Sequence, residues 1–406
     1  MKRRFVFRGR RPHTVIDFIR RGTYYLKKRN YDKAIADYDQ AILLNPKYAL
    51  AYNNRGLAFA EKGDYDRAIA EYNEAIRLVP GYALAYNNRG NSYGDKRDYD
   101  SAIADYTQAI RFAPRHAIAY YNRGNSYNRK RDYDKAIADY TQAIHLNPKY
   151  AMAYNNRGLA FAGKGDHDRA IADWTQAIRL VPNDADAYYN RGRAYSDKHD
   201  YDKAIEDYSQ AIRLDPNFIE AYNNRGSAYG VKCDNDSAIA DYTQAIRLDP
   251  GDAMAYYNRG LSYSHKRGYD EAIADYNEAI RLDPNFIEAY YNRGYTYDDK
   301  GDHDRAIEDY TQAIHLNPKY ALAYNGRGWV YAGKGDYDQA IADASQAILL
   351  DPDEAEAYDT RGYAYFMKKD YDRAIADFEA ALRLNPDHAN ARQKLEEALR
   401  ERGIRA

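Results

Sequence analysis

Cysteine is almost absent from this chain, since Cys233 is the only one among 406 residues. A single thiol cannot close an internal disulfide or build a thiolate zinc site, so a disulfide-stapled extracellular scaffold is excluded. No apolar run approaches the roughly 18 residues that a membrane-spanning helix needs. The apolar run Phe5–Phe7 near the N-terminus is too short for a secretory signal. We therefore expect a cytoplasmic protein.

The chain also lacks an excess of charge of either sign, because 60 Lys and Arg residues face 61 Asp and Glu residues. This balance conceals an uneven distribution. Residues 1–29 hold eleven basic residues and one acid, Asp17, whereas the remainder holds 49 basic and 60 acidic residues. The sequence thus has a basic head on an acidic body, and such a body repels phosphate groups.

Proline is scarce at 12 residues, but its spacing is regular. After Pro12 the prolines are Pro46, Pro80, Pro114, Pro148, Pro182, Pro216, Pro250, Pro284, Pro318, Pro352 and Pro386. Every step is 34 residues. A fixed period of this length is typical of a solenoid of stacked units.

The period predicts eleven tandem repeats between Val15 and His388. We place a basic N-terminal tail at residues 1–14, and a capping helix with the C-terminus at residues 389–406. The repeats span residues 15–48, 49–82, 83–116, 117–150, 151–184, 185–218, 219–252, 253–286, 287–320, 321–354 and 355–388. Positions one to thirty-four below count from the first residue of each repeat.

Each repeat has the pattern of a helix–turn–helix. In the second repeat, small, apolar or aromatic residues recur three and four apart in two stripes, which is the period of an amphipathic helix. These residues are Tyr52, Gly56 and Phe59, then Ala68, Tyr72, Ala75 and Leu78. Between the stripes, Gly63 breaks the helix and Asp64 suits an N-cap. Pro80 ends the second helix, since proline cannot continue the hydrogen-bond ladder.

This pattern of aromatic, glycine, alanine and proline positions resembles the tetratricopeptide repeat, and the match covers the eleven repeats. The resemblance implies an all-α fold, a right-handed superhelical α-solenoid of 34-residue helix-turn-helix repeats with a C-terminal capping helix. It also implies that the first helix of each repeat lines a concave groove. Family members of this kind act as scaffolds that bind proteins or peptides.

Arginine occupies position seven in every repeat, from Arg21 to Arg361. Acids are equally regular at position twenty-three, from Asp37 to Asp377, and aspartate fills position eighteen from Asp32 to Asp372. A partly buried guanidinium needs a carboxylate, so we expect a ladder of arginine–carboxylate pairs that fixes the helices. The sequence leaves open which of the two acids each arginine chooses.

Asparagine occupies position six in eight consecutive repeats, although it is a mediocre helix former. These residues are Asn54, Asn88, Asn122, Asn156, Asn190, Asn224, Asn258 and Asn292. A row of amides can donate to and accept from the backbone of an extended peptide. It resembles the asparagine ladder of the O-linked N-acetylglucosamine transferase repeat domain, which implies a peptide-binding groove. The alternative is that these asparagines only cap or bridge adjacent helices.

The sequence shows no signature of catalysis. Its nine histidines never pair at metal-ligand spacing on one helix, and its acids recur once per repeat rather than forming one constellation. We therefore expect no enzyme activity, no cofactor and no metal.

We predict a non-enzymatic scaffold that binds an extended peptide or protein partner in the concave groove. One alternative is self-assembly, in which the basic head of one molecule contacts acids on late first helices of the next. Another is nucleic-acid binding through the basic head, which the acidic body opposes.

Overall fold

The computed structural model of the chain describes residues 14–405, and this range contains helices and no strands. The predicted basic tail, apart from Thr14, lies outside the described residues. The chain divides into two compact units at Leu214 and Asp215. We call them the N-terminal unit and the C-terminal unit and describe each by itself.

The described part of the N-terminal unit, residues 14–214, holds twelve helices. They are α1 (Val15–Lys27), α2 (Tyr31–Leu44), α3 (Ala49–Glu61), α4 (Tyr65–Leu78), α5 (Ala83–Asp95), α6 (Tyr99–Phe112), α7 (Ala117–Arg129), α8 (Tyr133–Leu146), α9 (Ala151–Gly163), α10 (His167–Leu180), α11 (Ala185–Asp197) and α12 (Tyr201–Leu214).

The C-terminal unit holds eleven helices in its described part. They are α13 (Ile219–Val231), α14 (Asn235–Leu248), α15 (Ala253–His265), α16 (Tyr269–Leu282), α17 (Ile287–Asp299), α18 (His303–Leu316), α19 (Ala321–Gly333), α20 (Tyr337–Leu350), α21 (Ala355–Met367), α22 (Tyr371–Leu384) and α23 (Ala389–Arg405). The predicted all-α solenoid of helix-turn-helix repeats is therefore confirmed.

Odd-numbered first helices and even-numbered second helices play different parts in each unit. Each first helix packs on the second helix that follows it, and each second helix packs on the next first helix. Neighbouring first helices also contact each other, whereas among the described residues of either unit neighbouring second helices do not. Because the first helices approach more closely, their side of each unit is its concave side.

Glycine at position eight lets the two helices of a repeat approach closely. A Cβ on Gly124 would lie 2.8 Å from Cε1 of Tyr140, whose side chain is fully buried. Gly56 has the same relation to Tyr72, with a distance of 2.8 Å. A residue larger than glycine at position eight would therefore displace the buried ring.

The turn inside each repeat contains one residue with left-handed backbone. Glycine supplies it at Gly63, Gly165, Gly301 and Gly335, whereas arginine, lysine, histidine or cysteine adopts it elsewhere, including Arg131 at φ 60°. The next residue is usually an N-capping aspartate, as predicted for Asp64, whose side chain accepts a hydrogen bond from the backbone N–H of Arg67. The left-handed residue thus lets one helix stop and the next start within a few residues.

The final helix, α23, covers the last apolar surface of the C-terminal unit. Ala391 and Ala398 are buried in a cluster with Ile375 and Phe378 of α22. Charged residues of α23 such as Arg392, Glu396 and Arg400 are exposed, which is what a capping helix of a solenoid requires.

The arginine at position seven pairs with the acid at position twenty-three of its own repeat, in all eleven repeats of the described chain. Arg123, for example, donates from Nε to Oδ2 of Asp139 at 2.7 Å and from Nη2 to Oδ1 at 2.7 Å. Its third nitrogen, Nη1, donates to Oγ1 of Thr107 in the preceding repeat at 3.0 Å. The predicted ladder is confirmed, and it also links consecutive repeats.

Position eighteen has a different partner. Asp32 accepts a hydrogen bond from Nζ of Lys62 at 2.5 Å, and the same pairing of a lysine with the aspartate of the preceding repeat recurs along both units. Both partners are largely exposed, so these pairs contribute little to stability. The question that the sequence left open is therefore answered in favour of position twenty-three.

Candidate peptide-binding surface

The eight asparagines at position six all lie on first helices, and each is half-buried. Those in the N-terminal unit run from Asn54 on α3 to Asn190 on α11, and those in the C-terminal unit run from Asn224 on α13 to Asn292 on α17. First helices form the concave side of each unit, so the predicted residues lie on that side.

The amide nitrogens of several of these residues bond to the preceding repeat. Nδ2 of Asn122 donates to Oδ1 of Asn87 at 3.2 Å and to Oδ1 of Asn91 at 3.0 Å. Nδ2 of Asn156 donates to the hydroxyl of Tyr121 at 3.0 Å and to Oδ1 of Asn125 at 2.8 Å. The donor side of these amides therefore bridges adjacent first helices.

The same geometry occurs in other repeats. Nδ2 of Asn88 donates to Oδ1 of Asn53 at 3.1 Å. In the C-terminal unit, Nδ2 of Asn292 donates to the hydroxyl of Tyr257 at 3.0 Å and to the carbonyl of Glu288 at 2.9 Å. Bridging thus accounts for the amide donors of Asn88, Asn122, Asn156 and Asn292.

The side-chain carbonyl oxygens of the position-six asparagines are bonded differently from their amide nitrogens. Within residues 14–405, Oδ1 of Asn88 and Oδ1 of Asn122 accept no hydrogen bond from the protein. Oδ1 of Asn54 and Oδ1 of Asn156, in contrast, accept from the adjacent residues Asn53 and Asn155. Asn88 and Asn122 therefore each present a carbonyl that is fixed in place and unused.

Two adjoining depressions lie next to these two carbonyls. The first has a volume of about 470 Å³ and includes Asn88, and the second has a volume of about 680 Å³ and includes Asn122. They share Asn91 and Asp95 as lining residues. The position-six row therefore faces accessible space at this part of the N-terminal unit.

Asn91 and Asn125, at position nine, belong to this surface but were not among the predicted residues. Oδ1 of Asn91 accepts from the hydroxyl of the buried Tyr106 at 2.9 Å, and Oδ1 of Asn125 accepts from that of Tyr140 at 2.8 Å. Asparagine occurs at position nine in these two repeats alone. A search for residues repeated along the whole chain passes over a feature restricted to two repeats.

The surface is polar, and its lining holds two acids, Glu61 and Asp95, beside three bases, Lys62, Arg97 and Arg129. Burial, together with the charge of Glu61, raises the pKa of Asp95 above its ordinary value. Burial likewise raises the pKa of the Tyr106 hydroxyl, so that it stays protonated as the donor to Asn91.

Exposed apolar side chains accompany the asparagines at position two. Leu84, Ile118 and Met152 are exposed, with Met152 at 59%. Each precedes a position-six asparagine by four residues, so both lie on one face of the same first helix. That face thus combines amides with apolar side chains at a spacing of 34 residues.

Residues 14–405 meet neither the requirements of a metal site nor those of a membrane-spanning helix. No group of three or more His, Cys, Asp or Glu side chains there could hold a metal ion. No helix in this range combines the length and the hydropathy needed to cross a bilayer.

The fold is a helical-repeat solenoid, and matches to family models identify the type of repeat. Models of the tetratricopeptide repeat match residues 19–83, 87–151, 123–185, 185–218, 287–320, 321–354 and 355–388, and a model described as TPR repeat matches residues 234–266 and 268–301. The chain belongs to the tetratricopeptide repeat family. It is accordingly a helical-repeat scaffold of the kind that proteins use to bind other proteins.

Solved structures share this fold. A chain of the APC/C hetero-tetramer Cut9–Hcn1 is 17% identical, with a TM-score of 0.50 over 94% of this chain and 96% of its own. A tetratricopeptide repeat protein from Parabacteroides merdae is 21% identical, with a TM-score of 0.51 over 61% of this chain and 98% of its own. A comparison with curated protein sequences gave no match.

Proposed function

We propose that the chain is a non-enzymatic scaffold that binds an extended peptide along the concave side of its N-terminal unit. The observation that carries the proposal is that the nitrogen and the oxygen of one side-chain amide differ in their hydrogen bonding. Nδ2 of Asn88 and of Asn122 is held by a neighbouring repeat, while Oδ1 of each remains available beside an open depression.

Such carbonyls suit the backbone N–H groups of a peptide. An extended chain presents these groups at regular intervals, and a main-chain contact does not depend on side-chain identity. Because the amides are already fixed by their donor bonds, little side-chain entropy is lost when a peptide binds.

The exposed apolar residues at position two supply the second element of recognition. A peptide whose backbone follows the asparagines can place apolar side chains against Leu84, Ile118 and Met152. Position two is apolar in five consecutive repeats from Ile16 to Met152, whereas the later repeats have Asp186, Glu220, Glu288 and Glu356 interspersed with Met254 and Leu322. An apolar peptide therefore fits the N-terminal unit better.

The proposal is tested by selecting peptides from a displayed random library on the full chain. The affinity of a selected peptide is then measured calorimetrically for the triple variant Asn122→Ala, Asn156→Ala and Asn190→Ala. We expect a loss of about 0.5–1.5 kcal/mol per hydrogen bond removed, with helix content unchanged. The matched control is Asn183→Ala, an exposed loop residue after α10.

Failure to enrich any peptide contradicts the proposal. An affinity that is equal for the triple variant, the control and the unsubstituted chain also contradicts it, and returns the asparagines to a purely bridging role.

A further inference from the structure

A separate cavity of about 380 Å³ lies in the C-terminal unit, lined by residues of α17, α18, α19, α21 and α23. Its lining includes three aromatic residues on first helices, Tyr291, Tyr295 and Trp329, and four acids, Asp298, Asp299, Glu356 and Asp359. No lysine or arginine lines it. The cavity therefore joins aromatic faces to negative charge without a cation of its own.

Asp359 is the buried acid of this cavity, with only 5% of its surface exposed. Its Oδ2 accepts a hydrogen bond from Nδ2 of Asn390 at 2.7 Å, but its Oδ1 is buried and has no hydrogen-bond partner. Lys394 lies close enough to influence this carboxylate, yet its Nζ donates to Oε2 of Glu397 at 2.8 Å. Burial raises the pKa of Asp359, as expected for an incompletely paired carboxylate.

Asn325 adds a second unused acceptor, because its Oδ1 is also buried without a partner and the residue lines the same cavity. Buried polar atoms in folded proteins are normally hydrogen-bonded. Oδ1 is likewise buried without a partner at the position-five residues Asn155 and Asn223, so it is the orphaned carboxylate oxygen of Asp359 that points to a missing donor group in this cavity.

The sequence departs from the repeat pattern at this place. The position-six asparagines end at Asn292, and the next two repeats have Gly326 and Thr360 there. A Cβ on Gly326 would lie 2.8 Å from Cζ of Tyr310, so any larger residue would displace that ring. Position five carries an acid in the last repeat alone, at Asp359.

We infer that this cavity binds the side chain of an arginine from a basic polypeptide segment. The guanidinium is planar, carries five N–H donors and no acceptor, and stacks on aromatic rings. It can therefore pair with Oδ1 of Asp359 and Oδ1 of Asn325 while lying against Trp329 or Tyr295. A lysine offers a point charge without the planar face, and should bind less tightly.

Two sources of such an arginine share this chemistry: the basic N-terminal segment of a second copy of this chain, and a basic segment of another protein. Residues 1–13 of the sequence contain Arg3, Arg4, Arg8, Arg10 and Arg11. A synthetic peptide with the sequence of residues 1–13 is therefore the natural probe.

The test measures the fluorescence anisotropy of this labelled peptide with the full chain at low ionic strength. Asp359→Asn keeps the shape of the side chain and an oxygen for Asn390, but removes the charge. We expect this variant to bind at least about tenfold more weakly, because one member of a buried ion pair is lost. The control Glu379→Gln removes a charge from an exposed residue of α22, and should bind like the unsubstituted chain.

Two further binding measurements test whether the cavity recognises the guanidinium group of arginine. A peptide in which every arginine is replaced by lysine should bind more weakly to the unsubstituted chain, and equally weakly to Asp359→Asn. Trp329→Leu, which removes a half-exposed aromatic face, should weaken the arginine peptide more than the lysine peptide. Asp359→Asn should melt at or above the temperature of the unsubstituted chain, since it removes an unsatisfied buried charge.

Equal affinity of the peptide for Asp359→Asn, for Glu379→Gln and for the unsubstituted chain overturns the inference. Sedimentation of the full chain then distinguishes the sources. Self-association at low salt that Asp359→Asn abolishes identifies a second copy as the donor, whereas a monomer that still binds the peptide through Asp359 identifies another protein.

This site does not depend on the position-six asparagines. The triple variant Asn122→Ala, Asn156→Ala and Asn190→Ala should bind the basic peptide with unchanged affinity. The peptide-binding proposal for the N-terminal unit and the arginine-binding inference for the C-terminal unit can therefore be refuted independently, because each is tested with its own variant and its own peptide.

Discussion

At the scale of single residues, the close approach of two helices depends on the absence of a side chain. Position-eight glycine is required because the aromatic ring of position twenty-four fills the space that a Cβ would occupy. The rings of Tyr38, Tyr72 and Tyr140 are fully buried in this way. The pattern of small and large residues could be read from the sequence, but the distance between them could not.

Gly124→Ala should destabilise its repeat by about 1–3 kcal/mol, because the new methyl group would lie 2.8 Å from a buried ring atom of Tyr140. The matched control is Gly230→Ala, where no atom lies within 4 Å of the added Cβ. This control should be neutral or stabilising, since alanine is the better helix former. Thermal unfolding followed by circular dichroism checks both, and equal melting temperatures for the two variants would refute the argument.

At the scale of the helices, the arginine–carboxylate pairs determine how one helix is placed on the next. Arg123→Ala would leave Asp139, which is 6% exposed, without its counter-charge. Removing one member of a buried pair typically costs about 3–5 kcal/mol. Lys130→Ala, in the same repeat as Arg123, breaks the exposed pair with Asp100 of the preceding repeat and should have little effect. Chemical unfolding of both variants provides the comparison, and a similar midpoint for the two would show that the buried ladder does not stabilise the repeat.

Repeats differ in their expected stability, since solenoid stability is a sum over neighbours. The tenth repeat has Ala344, fully buried, where ten other repeats have an aromatic residue at position twenty-four. The seventh has Asn235 at position seventeen, and its Oδ1 is buried without a partner. Hydrogen exchange should therefore be faster in repeats seven and ten than in repeats two to five. Uniform protection of all eleven repeats would contradict this prediction.

The regular features of this chain were predictable from the sequence, because a residue type that recurs at one position of every repeat has the same structural surroundings in each. The helix pairs, the turn, the capping aspartate and the arginine ladder all follow from spacing. Features confined to one or two repeats did not, and these include Asn91, Asn125 and the orphaned carboxylate oxygen of Asp359. The sequence could not show that the position-seven arginine pairs with position twenty-three and not with position eighteen, since both acids recur at the same period.

At the scale of the whole molecule, buried tyrosines make stability sensitive to high pH. Burial raises the pKa of the core tyrosines, including that of Tyr257 to about 12, whereas an unfolded chain ionises its tyrosines near pH 10. Their contribution is therefore intact below about pH 10 and is lost as the pH rises further. Absorbance at the tyrosinate band and circular dichroism should show exposed tyrosines titrating first, and the remainder only as helix is lost. Complete ionisation near pH 10 with intact helices would contradict this account.

In the proposed complex, Oδ1 of Asn122 accepts a hydrogen bond from the backbone of a bound peptide. The most direct test replaces single backbone amides of a selected peptide by esters, which removes one N–H donor and leaves every side chain in place. At one position the ester should weaken binding to the unsubstituted chain by about 0.5–1.5 kcal/mol and have no effect on binding to Asn122→Ala, as a double-mutant cycle requires. If every ester weakens binding to both proteins by the same amount, Asn122 does not contact the peptide backbone and the claim is wrong.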